Sequence, residues 1–362
     1  MYSSPRFPPY ITRSALAFLS LMAVTACDPD TDTPDPTQPA DVFIVNEGGF
    51  NKGNAGISSF STASRQLMNV NQFQTANNRP LGDVAQSMTV VGTRGYIVVN
   101  NSNKLEVVSM PDLKEVATVT GLQLPRYFVA ASADKGYVTE WVDFGVSGRV
   151  AVIDLKTNTI LKTITTGITP ETMLLVGNKL YVANNGENTL TIINTLTDEV
   201  AATVTVGDSP TSLVQDRTGR VWVLNSGMVA YNPDYTEDYE HTTPGSLVSF
   251  DPQSPTAQTR RTFASNQVRP QKLLIDFTGT TLYFSNGAAV FRMNTTDAAL
   301  PTTPIIRRRF YGLGLDPRDN TLYGSLENFS GPTKFIRYQS TGTPIDSFAV
   351  GVGANSFVFY RQ

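Results

Sequence analysis

Leu180-Tyr181-Val182-Ala183-Asn184 is followed by the turn residues Gly186-Glu187-Asn188 and then by Leu190-Thr191-Ile192-Ile193-Asn194. Both apolar runs are short, rich in β-branched and aromatic side chains, and punctuated by Gly and Asn, which is the pattern of a strand hairpin. Working outward, Thr172 to Val176 with the turn Gly177-Asn178 supplies a strand before them, and Val200 to Val206 supplies one after. The aromatic-led run then recurs, usually with Asn behind it. The copies are Phe43-Ile44-Val45-Asn46, Tyr96-Ile97-Val98-Val99-Asn100, Tyr137-Val138-Thr139, Tyr181-Val182-Ala183-Asn184, Trp222-Val223-Leu224-Asn225, Tyr283-Phe284-Ser285-Asn286 and Tyr323-Gly324-Ser325. Four of the six intervals between these copies are 40 to 44 residues, and the two longer ones carry extra loop at residues 74–84 and 227–245. Helical periodicity is absent throughout. A four-stranded unit of about 42 residues, repeated seven times, predicts an all-β chain folded as a seven-bladed β-propeller.

The two ends support a closed ring. The first copy begins at its second strand, Val42 to Asn46, with no inner strand ahead of it. The chain finishes on Ser356-Phe357-Val358-Phe359-Tyr360, which aligns with the inner strands Ser212-Leu213-Val214 and Ser87-Met88-Thr89. The C-terminal strand is therefore expected to complete the first blade and remove an exposed edge. An open solenoid would have no use for a half-repeat at each end.

Ahead of the repeats, Arg6 and Arg13 precede the apolar run Ser14 to Ala26, which at 13 residues falls short of the roughly 20 needed to span a bilayer. Residues 1–26 therefore read as a signal peptide. It ends in Val24-Thr25-Ala26-Cys27, and Cys27 is the only cysteine in the chain. This resembles the lipobox of bacterial lipoproteins, which implies lipidation of Cys27 and contact with the membrane through that lipid anchor only. Asp28 to Ala40 is rich in Pro, Asp and Thr and reads as a flexible tether ahead of a propeller over residues 41–362. Acidic residues just after the cysteine resemble the surface-export signal of Bacteroidota lipoproteins, implying an outer-membrane protein that faces outward. A periplasm-facing anchor is the alternative. Net charge is −3, which leaves no electrostatic footprint for nucleic acid. The basic run Arg307-Arg308-Arg309 reads as a solvated outer strand.

In a propeller the blade-to-blade connectors and the loops between second and third strands emerge on one face, and here both classes contain the long segments. They include Thr75 to Asp83, Glu47 to Ala55, Trp141 to Gly148, Met228 to Gly245 and Glu327 to Lys334. Function concentrates in long loops on a rigid scaffold, so this face is the expected binding face. Aligning the inner strands places one polar residue per blade at the mouth of the central channel: Asn355, Gln86, Arg126, Glu171, Thr211, Gln271 and Tyr311. Either this is the wetness of any channel mouth, or it is a ring of donors and acceptors for a polar ligand. Around it the loops offer Asn78, Arg79, Trp141, Tyr231, Tyr235 and Tyr239, aromatic side chains being rigid anchors for an interface. The tyrosines either face a ligand or pack the insertion onto its blade. Asp234, Glu237, Asp238 and Glu240 lie nearby, without the spacing of a calcium loop.

The composition argues against an enzyme. His241 is the only histidine, so His-rich metal sites and a Ser-His pair on a G-x-S-x-G turn are excluded. The ring holds a single carboxylate, Glu171, against Arg126, where a propeller lactonase needs a metal cage. No cofactor and no metal are expected.

The blades, with Leu180-Tyr181-Val182-Ala183-Asn184-Asn185 and the connector Gly207-Asp208-Ser209-Pro210-Thr211-Ser212-Leu213, resemble the YVTN repeats of YncE-like propellers over essentially all of residues 41–362. A narrower match covers Val45-Asn46-Glu47-Gly48-Gly49-Phe50, Gly53-Asn54-Ala55 and residues 77–88. These are similar to surface lipoprotein propellers of Bacteroidota that accompany TonB-dependent receptors, the cobalamin-capturing BtuG among them. The resemblance implies capture of a corrinoid, or another small polar ligand, for a TonB-dependent outer-membrane receptor. A hydrolase acting on lactones or sugars, and a cell-surface adhesion scaffold, stay open as alternatives.

Overall fold

The second strand of each repeat is apolar on both faces because each blade is sandwiched between two others. The computed structural model describes residues 39–360. The expected signal peptide, the expected lipidation site Cys27 and the expected tether up to residue 38 lie outside the described residues. Seven antiparallel sheets follow one another along the chain. Blade four shows the regular pattern, with Pro170–Val176 innermost, then Lys179–Asn184, Thr189–Asn194 and Glu199–Thr205. The inner strand of each blade packs against that of the next, and the seventh against the first, so the blades form a ring.

Closure is as the sequence predicts. Ala354–Phe359 pairs with Val42–Asn46, which pairs in turn with Gly56–Ser61 and that with Gln66–Asn69. A clasp reinforces the junction: Arg318, in the first turn of blade seven, pairs with Asp41, whose other oxygen accepts Thr62 N–H at 2.8 Å. The hydrophobic core divides into seven clusters, one at each seam between neighbouring blades. Alternate residues of a strand point to opposite faces, so Phe43 and Val45 join the seam with blade two while Val42 and Ile44 join the seam with blade seven. The junction of the chain ends thus has the same kind of core as the other six seams.

Three details depart from the sequence expectation. A short helix, Gln72–Asn77, sits in the connector to blade two, capped by Asn71 and ended by Asn78 in the left-handed region at φ 54°. Six residues are too few for helical periodicity to register. In blade six the outer position is a single bridge, Val290 with Ile306, because Pro301 and Pro304 lie just ahead of Ile306 and lack the N–H a strand must donate. Arg307 to Arg309 are exposed there on a loop rather than on a strand.

In blades five, six and seven the turn between first and second strands reuses one device, a buried aspartate, Asp216, Asp276 or Asp316, that satisfies its own turn. Asp216 accepts Thr218 N–H at 2.8 Å, Arg220 N–H at 3.1 Å and the indole N–H of Trp222 at 2.8 Å. Burial pushes this carboxyl up, but the hydrogen bonds from Thr218, Trp222 and Arg220 outweigh it and hold the group below its ordinary value. Its contribution is therefore complete above the ordinary carboxylate range, about pH 4, and is lost as pH falls through and below that range. Asp216→Asn should cost about 1–3 kcal/mol at neutral pH and less in acid. Urea midpoints of both proteins at neutral and acid pH check this; equal losses at the two would contradict it.

Candidate functional site

The first residues of the inner strands do not pair regularly with their neighbours. The ladder slips between Ala85 and Ser87, Pro125 and Phe128, Pro170 and Met173, Pro210 and Ser212, Gln271 and Leu274, and, on the closing strand, Ala354 and Ser356. Each slip is a bulge, which leaves residues out of the ladder and re-aims their side chains. The released residues are Gln86, Arg126 with Tyr127, Glu171 with Thr172, Thr211, Lys272 with Leu273, and Asn355. In blade seven Tyr311 precedes its strand and is fixed by donating its N–H to Ser325 O at 2.9 Å.

These side chains join into a belt across five blades. Arg126 donates from Nη1 to Gln86 Oε1 at 2.6 Å and from Nε to Glu171 Oε1 at 3.0 Å, and its guanidinium lies 4.1 Å from the centroid of the Trp141 ring. Asn355 Nδ2 donates to Gln86 O at 2.8 Å and to Glu47 Oε1 at 2.7 Å, and Tyr311 OH donates to Glu47 Oε2 at 2.6 Å. The belt thus runs from blade four through three, two and one to blade seven. It stops at blades five and six. Thr211 Oγ1 turns back to Leu224 O at 3.1 Å, and the Gln271 side chain is exposed, with no hydrogen bond among the described residues. The bulge in blade six starts one residue later than its Pro-led register suggests, so Lys272, not Gln271, shares the channel with Glu47, Glu171 and Arg126.

The channel disfavours isolated charge. Burial pushes Glu171 above the ordinary carboxylate range although Arg126 pulls the other way, and burial pushes Lys272 down. Tyr127, beside Gln86, is pushed up to about 12 by burial and by Glu171. Tyr311 is raised by burial and by Glu47. Two acids and two bases balance across the cluster. The indole N–H of Trp141 is buried near Glu171, without a partner of good hydrogen-bond geometry, and helps hold that carboxylate's charge.

Four long loops rise around the belt, those between second and third strands of blades one, three, five and seven. Each presents exposed aromatic rings: Phe50 (68% exposed), Phe144 (72%), Tyr235 (88%) with Tyr231 and Tyr239, and Phe329 (43%). The three tyrosines face solvent rather than packing the insertion onto its blade. That insertion is instead held by one backbone carbonyl and one hydroxyl, with Asn266 Nδ2 donating to Tyr239 O at 2.7 Å and Thr243 Oγ1 to Asp208 Oδ2 at 2.7 Å. Its acids serve local turns, Asp234 accepting Thr236 N–H and Asp238 accepting Glu240 N–H. Among the described residues no three His, Cys, Asp or Glu side chains converge as a metal site would require.

Arg79 and Asn78 belong to the scaffold, which corrects their assignment to the rim. Arg79 reaches blade two, meeting both oxygens of the fully buried Glu106 at 3.0 and 2.9 Å and lying 4.8 Å over the Phe73 ring. Asn78 ends the short helix. The segment around residue 83 ties the first two blades: Asp83 Oδ2 accepts Asn51 N–H at 2.9 Å and Asn101 Nδ2 at 2.5 Å. Gly48, at φ 79°, leaves no room for a side chain, since a Cβ would lie 2.7 Å from Ala55 N. Glu47, Tyr127 and Lys272 are channel residues that strand alignment missed.

Among proteins of curated function none matches the sequence. Solved structures share the fold at low identity. A quinonprotein alcohol dehydrogenase-like protein from Bacteroides thetaiotaomicron has 13% identity and a TM-score of 0.64, with 89% of this chain and 78% of that one covered. A functionally unknown protein from Desulfotomaculum acetoxidans has 13% identity and a TM-score of 0.62, with 88% and 98% covered. Hydrazine synthase from Kuenenia stuttgartiensis has 12% identity and a TM-score of 0.60, with 83% and 90% covered. These likenesses establish the propeller and nothing of its ligand. The family described as a domain of unknown function, DUF5074, matches residues 40–330, and the chain belongs to it.

Proposed function

We propose that this propeller captures a corrinoid on its long-loop face and passes it to a TonB-dependent receptor, held at the outer-membrane surface through lipidated Cys27. The observation that carries the reading is the belt from Glu171 to Tyr311 at the channel mouth, ringed by aromatic loops on four blades. A corrinoid is a broad disc fringed with amides. Its edge suits a circle of fixed donors and acceptors, and its flat apolar parts suit rigid aromatic rings that lose little entropy on contact. The site is built for holding: its two acids, Glu47 and Glu171, are already engaged by the belt, and the reading assigns them no reaction. Among the described residues no helix is long and apolar enough to cross a membrane, and the reading places the attachment in the lipid.

The test is a calorimetric titration of residues 34–362 with cyanocobalamin and cobinamide, with a panel of neutral sugars as control. Corrinoid binding at micromolar or tighter Kd without sugar binding is the expected result. Saturation by a sugar and none by either corrinoid would replace capture of this ligand class with glycan recognition.

A further inference from the structure

One of the two cations in the channel has no acid in direct contact among the described residues. Glu47 spends one oxygen on Asn355 and the other on Tyr311, and Glu171 is engaged by Arg126 at 2.9 Å. Lys272 has neither a hydrogen bond nor an ion pair among the described residues, and its ammonium lies 6.0 Å from the centroid of the Tyr311 ring. Its backbone is in the left-handed region at φ 56°, which side chains other than glycine adopt rarely. It sits in the bulge of blade six, the sector where the belt is interrupted. A half-buried cation in an uncommon backbone conformation, with Glu47 and Glu171 near but neither in contact, is costly unless a ligand supplies a direct partner.

We propose that Lys272 anchors an anionic group of the ligand, a phosphodiester or a carboxylate, in the open sector of the ring between Thr211 and Tyr311. The inference rests on the capture reading and narrows it: the ligand is amide-rich and carries one negative charge, seated where the belt lacks donors of its own. Gln271, exposed next to Lys272, and the Thr211 hydroxyl flank the same sector. Burial lowers the ammonium's affinity for its proton while Glu47 and Glu171 raise it, and an anion at this point adds to their effect.

Cyanocobalamin carries a phosphodiester and cobinamide lacks it. The unaltered propeller should bind cyanocobalamin about tenfold or more tightly than cobinamide, a preference of about 1.4 kcal/mol or more. Lys272→Met should abolish that preference while leaving cobinamide affinity within about twofold, and Lys272→Arg should retain it. Equal loss for both ligands, or none, overturns the role of Lys272 while leaving capture intact. A second readout does not need corrinoid binding. The NMR signal of isotope-labelled dimethyl-Lys272, assigned by its disappearance in Lys272→Met, should move on adding dimethyl phosphate or sodium acetate and stay still with glucose. The stronger of the two anions distinguishes a phosphodiester from a carboxylate, and a signal that moves with neither overturns the proposal even if capture also fails.

Discussion

Removing residues 354–362 should leave no cooperatively melting propeller. The deleted strand supplies the inner edge of blade one, pairing along Val42–Asn46. Phe357 belongs to the seam between blades seven and one, 5.5 Å from the Tyr323 ring and 5.7 Å from the Phe335 ring, while Tyr360 belongs to the seam between blades one and two. Truncating one large buried aromatic costs about 3–5 kcal/mol, so losing two approaches or exceeds a domain's whole stability of about 5–15 kcal/mol. The deletion also uncovers a strand that is apolar on both faces and has an unpaired edge, an invitation to aggregate. Thermal melts and size-exclusion profiles would decide. A monomeric product melting at the temperature of the intact protein would mean that the ring does not depend on this strand.

Arg126→Met should abolish ligand capture and cost about 3 kcal/mol of stability. The guanidinium bridges Gln86 and Glu171 and stacks on Trp141, so its removal strips Glu171 of its ion-pair partner while the carboxylate stays buried. The two effects can be separated. Adding Glu171→Gln removes the stranded charge and should restore most of the stability, since replacing both partners is far milder than removing one. It should restore no binding, because the belt still lacks its hub. Chemical denaturation of the single and double variants measures the first effect, and titration with cyanocobalamin the second. Recovery of binding in the double variant would show that Arg126 serves only to neutralise Glu171.

The ring was legible because each blade repeats a strand that must be apolar on both faces, and Tyr181-Val182-Ala183 shows that pattern without any structure in hand. Closure was legible because the half-repeats at the two ends are complementary. The channel mouth was readable only in part. Pro125-Arg126 and Pro170-Glu171 mark a residue that leaves the ladder at once, but after Pro270 the chain pairs for one more residue and then bulges, which moves the channel position to Lys272. A bulge is set by cross-strand packing, and a strand alignment has no term for it. Arg79 looked like a rim residue for a related reason. Its ion pair with Glu106 spans 27 positions of sequence and depends on the short helix that turns it away from the mouth. Glu47 looked like an ordinary loop acid because its partners, Asn355 and Tyr311, come from the far end of the chain.

The aromatic loops occupy blades one, three, five and seven, and seven is an odd number. An alternation of crowded and bare blades cannot run evenly around such a circle; two crowded blades must stand side by side. They do so at blades seven and one, where Phe329 lies close to both Gly49 and Gly353 and its ring meets Tyr311 edge-on at 5.1 Å. The parity mismatch gives the face a built-in heading, marked by a doubled aromatic wall beside the channel. A disc-shaped guest would meet seven similar walls in a perfectly repetitive ring and could settle in any rotation. Here it would meet one landmark, so its rim would be keyed and the same edge would always be turned toward whatever receives it.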